Sequence, residues 1–251
     1  MSLYIISDLH ITGPQDSLYA SLLAFLTDRA KPGDTVVLAG DLFDLFVGGK
    51  RIFMERYRDF MEALRLAGTR GVALHYIEGN HDFQLASAFA PIPGVTLHES
   101  AVSLKLGEKR FYCCHGDTVD RRDLGYLAMR VAFRSPVMKA LVRVLPGEWL
   151  DGIGRASSRR SRASQPALPV ELPRAGLEGL RRVYRNFAAE KLAEGYDFVV
   201  MGHCHDLDEM SFIVEGREGQ YINVGFPPKH GSILSWSLGD SKIRREKFAG
   251  S

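Results

Sequence analysis

Seven side chains suited to hold metal sit in five short islands, each at the end of an apolar run. The islands are Asp8-Leu9-His10, Gly40-Asp41-Leu42-Phe43-Asp44, Gly79-Asn80-His81-Asp82, His115-Gly116-Asp117 and Gly202-His203-Cys204-His205. The runs before them are Tyr4–Ser7, Thr35–Ala39, Val72–Ile77, Phe111–Cys114 and Phe198–Met201. Short apolar runs bounded by turn residues are predicted as buried strands. In open sheets flanked by helices, ligands gather beyond the carboxyl ends of the strands. Five strand ends would therefore deliver their polar tips to one rim. Gly40, Gly79, Gly116 and Gly202 stand beside these tips, where the backbone must turn without a Cβ. Five of the eight histidines fall in the islands, which argues for one shared site over scattered surface imidazoles.

Carboxylate, imidazole and amide oxygen are the donors that hold a pair of divalent ions for phosphoryl chemistry. Asp41, central in the order, is expected to bridge the pair. Asp8, His10 and His205 would complete one ion; Asn80, His115 and His203 would complete the other. A neutral Asn80 oxygen limits negative charge near an anionic phosphate. A water between two such ions loses a proton near neutral pH and becomes the nucleophile. His81 is not needed as a ligand and would protonate the leaving oxygen or hydrogen-bond the phosphoryl group, with Asp82 orienting it. Asp44 is expected to hold a ligand imidazole through its far nitrogen. Cys204 should be small and buried, pointing away from its histidine neighbours. His75 reads as a core or rim residue, His98 and His230 as surface residues.

This set resembles the calcineurin-like metallophosphoesterases, whose pattern is D-x-H, G-D-x-x-D, G-N-H-D, a later H, and G-H-x-H. All five blocks occur in order between Asp8 and His205. The resemblance implies an α+β fold, a four-layer sandwich of two packed mixed β-sheets flanked by helices, with an inserted helical cap. It also implies two divalent ions: manganese, iron or zinc. A narrower resemblance runs from His115-Gly116-Asp117-Thr118 through Asp123, Gly125 and Tyr126 into the insertion, and is similar to bacterial UDP-2,3-diacylglucosamine hydrolases. Arg155-Ala156-Ser157-Ser158 resembles a later segment of that insertion. Those enzymes are implied to work in lipid A synthesis as cytoplasmic, peripheral proteins of the inner membrane. They cleave a pyrophosphate to UMP and 2,3-diacylglucosamine 1-phosphate, and the cap holds the acyl chains and sugar. Carried onto this chain, the implied substrate residues are Asn80, Asp123, Tyr126, Ser158, Arg159 and Arg162. The chain departs from those hydrolases at His81, where they carry arginine, at Asp44, where glutamate is usual, and near Gln165, where a lysine is expected.

Charge marks the insertion independently. The whole chain is only +2, yet 121–191 holds 15 Lys+Arg against 6 Asp+Glu, leaving 17 against 24 elsewhere. Asp123–Phe133 and Leu177–Leu192 have helical spacing, with apolar stripes beside arginines. Pro166, Pro169 and Pro173 mark an irregular connection between them. Such helices suit an anionic membrane surface or an anionic amphiphile. The reading therefore divides the chain into a core, 1–120 and 194–251, and a basic cap, 121–193. Asp123 and Tyr126 also admit plain roles as a helix N-terminal carboxylate and a core aromatic. The arginine run Arg159–Arg162 admits one as a solvated face. Ser17–Arg29 and Arg51–Leu66 are predicted as core-packing helices. Met210–Val214, Gln220–Val224, Ile233–Leu238 and Lys242–Phe248 are predicted as strands, joined in part by hairpins. No stretch of 18 apolar residues spans a bilayer, the start lacks a signal-peptide pattern, and Cys113, Cys114 and Cys204 form no disulfide framework. A cytosolic setting is expected, with no nucleic acid partner.

Three functions remain open at this point. One is hydrolysis of a UDP-linked acylated sugar at a membrane. The second is action on a soluble phosphodiester or nucleotide, which a histidine at position 81 favours. The third is a catalytically silent scaffold, against which the intact ligand set argues.

Overall fold

The protein is described from a computed structural model covering residues 1–152 and 174–248. The strands are β1 (Ser2–Ile6), β2 (Thr35–Leu38), β3 (Phe46–Val47), β4 (Ala73–Ile77), β5 (Asp82–Phe83), β6 (Val95–His98), β7 (Ala101–Leu106), β8 (Lys109–Cys114), β9 (Phe198–Met201), β10 (Glu209–Val214), β11 (Arg217–Asn223), β12 (Ser232–Ser237) and β13 (Arg244–Lys247). The helices used below are α1 (Ser17–Ala24), α2 (Arg51–Arg56), α3 (Arg58–Thr69), α4 (Ala86–Phe89), α5 (Leu124–Arg134), α6 (Pro136–Val144), α7 (Arg174–Ala193) and α8 (Pro227–His230). A π-helical turn, Phe25–Arg29, extends α1.

Two mixed sheets form the middle of the molecule. The first runs β13-β12-β1-β2-β4-β6 and the second β10-β11-β9-β8-β7. Within the first, β1, β2, β4 and β6 are parallel; within the second, β8, β9 and β11 are parallel. Their carboxyl ends thus share one edge in each sheet.

The apolar runs are nearly continuous because both faces of these strands are covered. Between the sheets, Leu3, Ile5, Val37, Ile77 and Trp236 meet Phe111, Cys113, Phe198 and Val200. Phe111 stacks on Phe198 with centroids 4.7 Å apart. On the outer face of the first sheet, Ile6, Val36, Leu38, Leu74 and Tyr76 pack with Tyr19 and Leu22 of α1 and Phe60 and Leu64 of α3. On the outer face of the second, Tyr184, Ala188 and Leu192 of α7 cover Cys114, Val199, Met201 and Tyr221. The result is the expected four layers, helix–sheet–sheet–helix.

Some elements differ from the sequence reading. The helix expected over Arg51–Leu66 is two helices broken at Tyr57, whose φ of −111° leaves the helical range. Its ring lies 4.1 Å from that of Phe43 and donates its hydroxyl to the Ile11 carbonyl, so packing overrides helical continuity. Helix α7, grouped with the cap from its charge, forms the outer layer on the second sheet. Its arginines are the solvent and loop side of a core helix. Helix α6 and strands β6 and β7 are additional to the reading.

Candidate metal centre

The ligand-bearing loops are the segments that leave β1, β2 and β4 of one sheet and β8 and β9 of the other. The first two loops run side by side: the amides of Asp8, His10 and Ile11 donate to the carbonyls of Gly40, Asp41 and Leu42 at 3.1, 3.0 and 2.9 Å. Asp8, His10, Asp41, His203 and His205 all have positive φ, between 47° and 67°. That conformation costs a non-glycine residue of order 1–3 kcal/mol, so surrounding contacts must hold it. Two glycines make room for the carboxylates. A Cβ on Gly79 would fall on Asp41 Oδ1, and one on Gly202 on Asp8 Oδ2.

Among the described residues the expected ligands converge in two groups, and His10, Asp44 and His81 form a third beside them. Asp8, His10 and His205 form one, and Asp41, His115 and His203 the other, with the ligand atoms of each group mutually within 4.8 Å. Asn80 joins the second, its Oδ1 lying 3.1 Å from His115 Nε2. Asp41 stands between them. Its Oδ1 accepts from the amides of Asn80 and His81, both at 2.9 Å, while Oδ2 lies 3.4 Å from His115 Nε2 and 3.9 Å from His10 Nε2. Asp8 is buried; both its oxygens accept from the His203 amide at 3.1 Å, and Oδ2 also accepts from Ser7 Oγ at 2.5 Å.

The donor set fits divalent cations. Imidazole nitrogens face one another at 3.2 Å (His10 and His205) and 3.3 Å (His115 and His203). Two nitrogens on one ion at ordinary metal–nitrogen lengths stand roughly 2.9–3.4 Å apart. The electrostatics of the side chains alone show a strongly anionic pocket, whose carboxylates draw onto His115 the positive charge that a cation would otherwise supply. Burial works against charge on Asp41, but His115, then His81 and His10, hold its carboxyl well below the usual range. Burial alone would lower His115, yet Asp41, Asp8 and Asp117 hold it up at about 10. Burial pushes His10 and His203 down to about 4, which leaves them neutral donors near pH 7. The His115 ring is oriented by the carbonyl of Ala39, to which Nδ1 donates at 3.0 Å.

His81 lies at the rim, with its ring centroid 4.9 Å from that of His10. The orienting partner expected for it is corrected here. Asp82 does not reach His81; its oxygens accept from the amides of Asp41, Leu42 and Gly79 and from Tyr76 Oη, the last at 2.6 Å. Asp82 ties the β4 loop to the β2 loop, and burial raises its carboxyl to about 7. His81 Nδ1 instead donates to the backbone carbonyl of Asp44 at 2.9 Å. Asp44 thus meets His81 through its backbone carbonyl, and its carboxylate lies within 4.8 Å of ring nitrogens of both His10 and His81, beside the imidazole it was expected to support.

Helix α5 is fastened to both halves of the rim. Tyr126 Oη and Arg130 Nε donate to Asp117 Oδ2, both at 2.7 Å. Arg134 donates to Glu78 at 2.6 Å and to the Gly79 carbonyl at 3.3 Å. The Tyr126 ring lies 6.1 Å from that of His203. Asp123 caps α5, its Oδ1 accepting from the Tyr126 amide at 2.9 Å. Arg130 and Arg134 were missed as site-edge residues, although the i, i+4, i+8 spacing from Tyr126 puts all three on one helix face. The loop carrying His203 and His205 is held from below. Arg181 grips Asp206 at 2.6 and 3.0 Å, Arg185 grips Asp208 at 2.9 and 2.5 Å, and Asn223 Nδ2 donates to the Gly202 carbonyl and Cys204 Sγ. Cys204 thus points to Asn223, partly exposed rather than fully buried. His98, read as a surface residue, pairs with His75 at 3.0 Å. His230 accepts from the Phe226 amide. Ser158, Arg159 and Arg162, expected to contact substrate, lie outside the described residues.

Comparison with known proteins agrees with this geometry. A family model described as calcineurin-like phosphoesterase matches residues 1–207. The chain belongs to that family and is a metal-dependent phosphoester hydrolase, which closes the scaffold reading. Among its relatives is a UDP-2,3-diacylglucosamine hydrolase of Nitrosococcus oceani, 27% identical over 99% of this chain and 98% of that protein. Proteins of the same name from Pseudomonas putida and Neisseria meningitidis are 27% and 29% identical. They cover 93% and 85% of this chain and 92% and 88% of their own lengths.

Proposed function

We propose that the chain hydrolyses the pyrophosphate of UDP-2,3-diacylglucosamine or a closely similar acylated nucleotide sugar. The observation that carries this reading is where the apolar surface lies. Of 14 exposed large hydrophobic residues among those described, eight fall between Leu124 and Trp149, on α5, which is fastened to the metal loops, and on the segment that follows it. A soluble ester would leave those side chains without a use; acyl chains would cover them. Phe133 already meets Phe83, next to the β4 loop, at 6.0 Å between centroids. The likeness to relatives named for this substrate spans the same helices. The cap in this reading is the part built on α5 and α6, with α7 belonging to the core.

Asp8, His10, His205 and a bridging Asp41 would hold one divalent ion, and Asp41, Asn80, His115 and His203 the other; manganese is the first metal to test. Two such ions supply an activated water and draw charge from the phosphoryl oxygens. The chain's own residues do the rest. Asp82 and the Asp41 carboxylate lock the β2 and β4 loops together, so Asn80 and His81 keep fixed positions. The Asp44 carbonyl keeps hydrogen on His81 Nδ1, so only a second proton, taken up at Nε2, would be the one passed to the leaving UMP or sugar phosphate oxygen, returning the ring to its neutral form. Tyr126, Arg130 and Arg134 hold α5 against the rim and exclude bulk water from that side. No described helix is long and apolar enough to cross a membrane. We place the enzyme at the cytoplasmic face of the inner membrane through the apolar and basic surface of α5 and α6.

The test is UMP release from UDP-2,3-diacylglucosamine by manganese-loaded protein, with chelated protein as control. Metal-dependent UMP release is expected. Turnover of a chromogenic phosphodiester without any UMP release would overturn this reading in favour of a soluble ester, the alternative that His81 favours.

A further inference from the structure

Away from the metal loops, α6 and the Gly48–Lys50 turn border a cavity of about 340 Å³ that contains none of the candidate ligands. Its charged wall is unbalanced. Arg134 pairs with Glu78 at 2.6 Å and Lys139 with Glu99 at 3.4 Å. Lys50 and Arg143 also line the cavity, and no ion pair joins either to a carboxylate among the described residues. Lys50 Nζ is nevertheless fixed, donating to the carbonyls of Arg143 and Leu145 at 2.8 and 2.7 Å. Carbonyls orient an ammonium without neutralising it. A partly enclosed cavity with one immobilised cation and one adaptable guanidinium, each lacking a counter-charge, is matched by a phosphate group.

We propose that this cavity is a second, non-catalytic site for a phosphate ester of about the size of glycerol phosphate. Lys50 would supply the fixed charge and Arg143 the fork. The ester has two possible sources, a soluble sugar or glycerol phosphate and the headgroup of an anionic phospholipid. Exposed Val137, Leu141 and Val144 continue along α6 from Val142, which lines the cavity, so acyl chains attached to a bound headgroup would have an apolar path. The site joins cap to core, since α6 lies on one side and the Gly48–Lys50 turn on the other; occupancy would brace the cap. The proposal does not depend on which ester the metal centre cleaves.

Metal-loaded wild type, Arg143→Ala, Arg143→Lys and a charge control, Arg122→Ala, would each be titrated with glycerol 3-phosphate. Each would also be sedimented with phosphatidylcholine vesicles with and without phosphatidylglycerol. Phosphate binding at the metal centre is common to all four, so differences read the cavity. Loss of one charge-assisted contact should weaken binding of one probe by about tenfold or more in Arg143→Ala. Arg143→Lys should recover part of it, and Arg122→Ala should match wild type. Turnover of a chromogenic phosphodiester should be unchanged throughout. A loss seen with the soluble ester assigns a free metabolite; a loss confined to phosphatidylglycerol vesicles assigns a lipid headgroup. Equal binding by wild type and Arg143→Ala, no binding of either probe by wild type, or an equal loss in Arg122→Ala would overturn the proposal.

Discussion

At the scale of single residues, the site is defined by which atoms are already spoken for. Asp41 Oδ1 is taken by two loop amides, which leaves Oδ2 between the two imidazole groups. Asp82 is spent on backbone amides and Tyr76, which leaves His81 as the proposed acid. His81→Ala should lower turnover by about 10²–10⁴-fold, the usual worth of a positioned acid. Bound metal should stay at the wild-type count, as read by metal analysis of the same sample. Loss of metal together with activity would make His81 a ligand. The convergence of the candidate ligands was legible in the sequence because each follows a strand and adjoins a turn. The partners of Asp82 were not, since adjacency in sequence says nothing of where a carboxylate points once the loops have folded over it.

Among the elements, α7 bears on the metal site without touching it. Arg181 holds Asp206 beside His205, where positive φ stores strain that fixed neighbours must oppose. Arg181→Ala should weaken metal binding by several fold, seen as a lower retained content after dialysis, with partial recovery in Arg181→Lys. Unchanged retention would limit that pair to the surface. Strands β4 and β6 carry a second consequence. His75 lies against His98, and burial, then that neighbour, pushes it down to about 4. Its folded form therefore binds a proton less readily than its unfolded form, whose pKa is near 6.5. Stability from this residue is intact above pH 6.5 and declines as pH falls towards 4. Allowing for partial exposure, the loss should reach roughly 1–2 kcal/mol by pH 4.5. Denaturant unfolding of His75→Gln should show a flatter profile over that window, and a parallel profile would contradict it. The elements themselves were readable where an apolar run ended in a motif. Helix α7 was grouped with the cap on the charge of its arginines, and the stripe of Tyr184, Ala188 and Leu192 that packs on the second sheet was the weaker signal in the sequence.

For the whole molecule, parallel strands in two packed sheets bring five distant loops to one rim, and the basic helix α5 is fastened to that rim with α6 following it. Sedimentation with anionic vesicles should fall steeply between low and physiological salt, because exposed cations act through a field with a screening length of about 8–10 Å; salt-insensitive binding would mean apolar insertion alone. The central claim is that the rim holds two neighbouring cations joined by one carboxylate. Metal analysis of wild type and Asp41→Ala after exhaustive dialysis tests it most directly. Wild type should retain two divalent ions per chain and a folded Asp41→Ala should retain neither tightly. Retention of both ions by the variant, or of fewer than two by wild type loaded with saturating metal, would contradict the account.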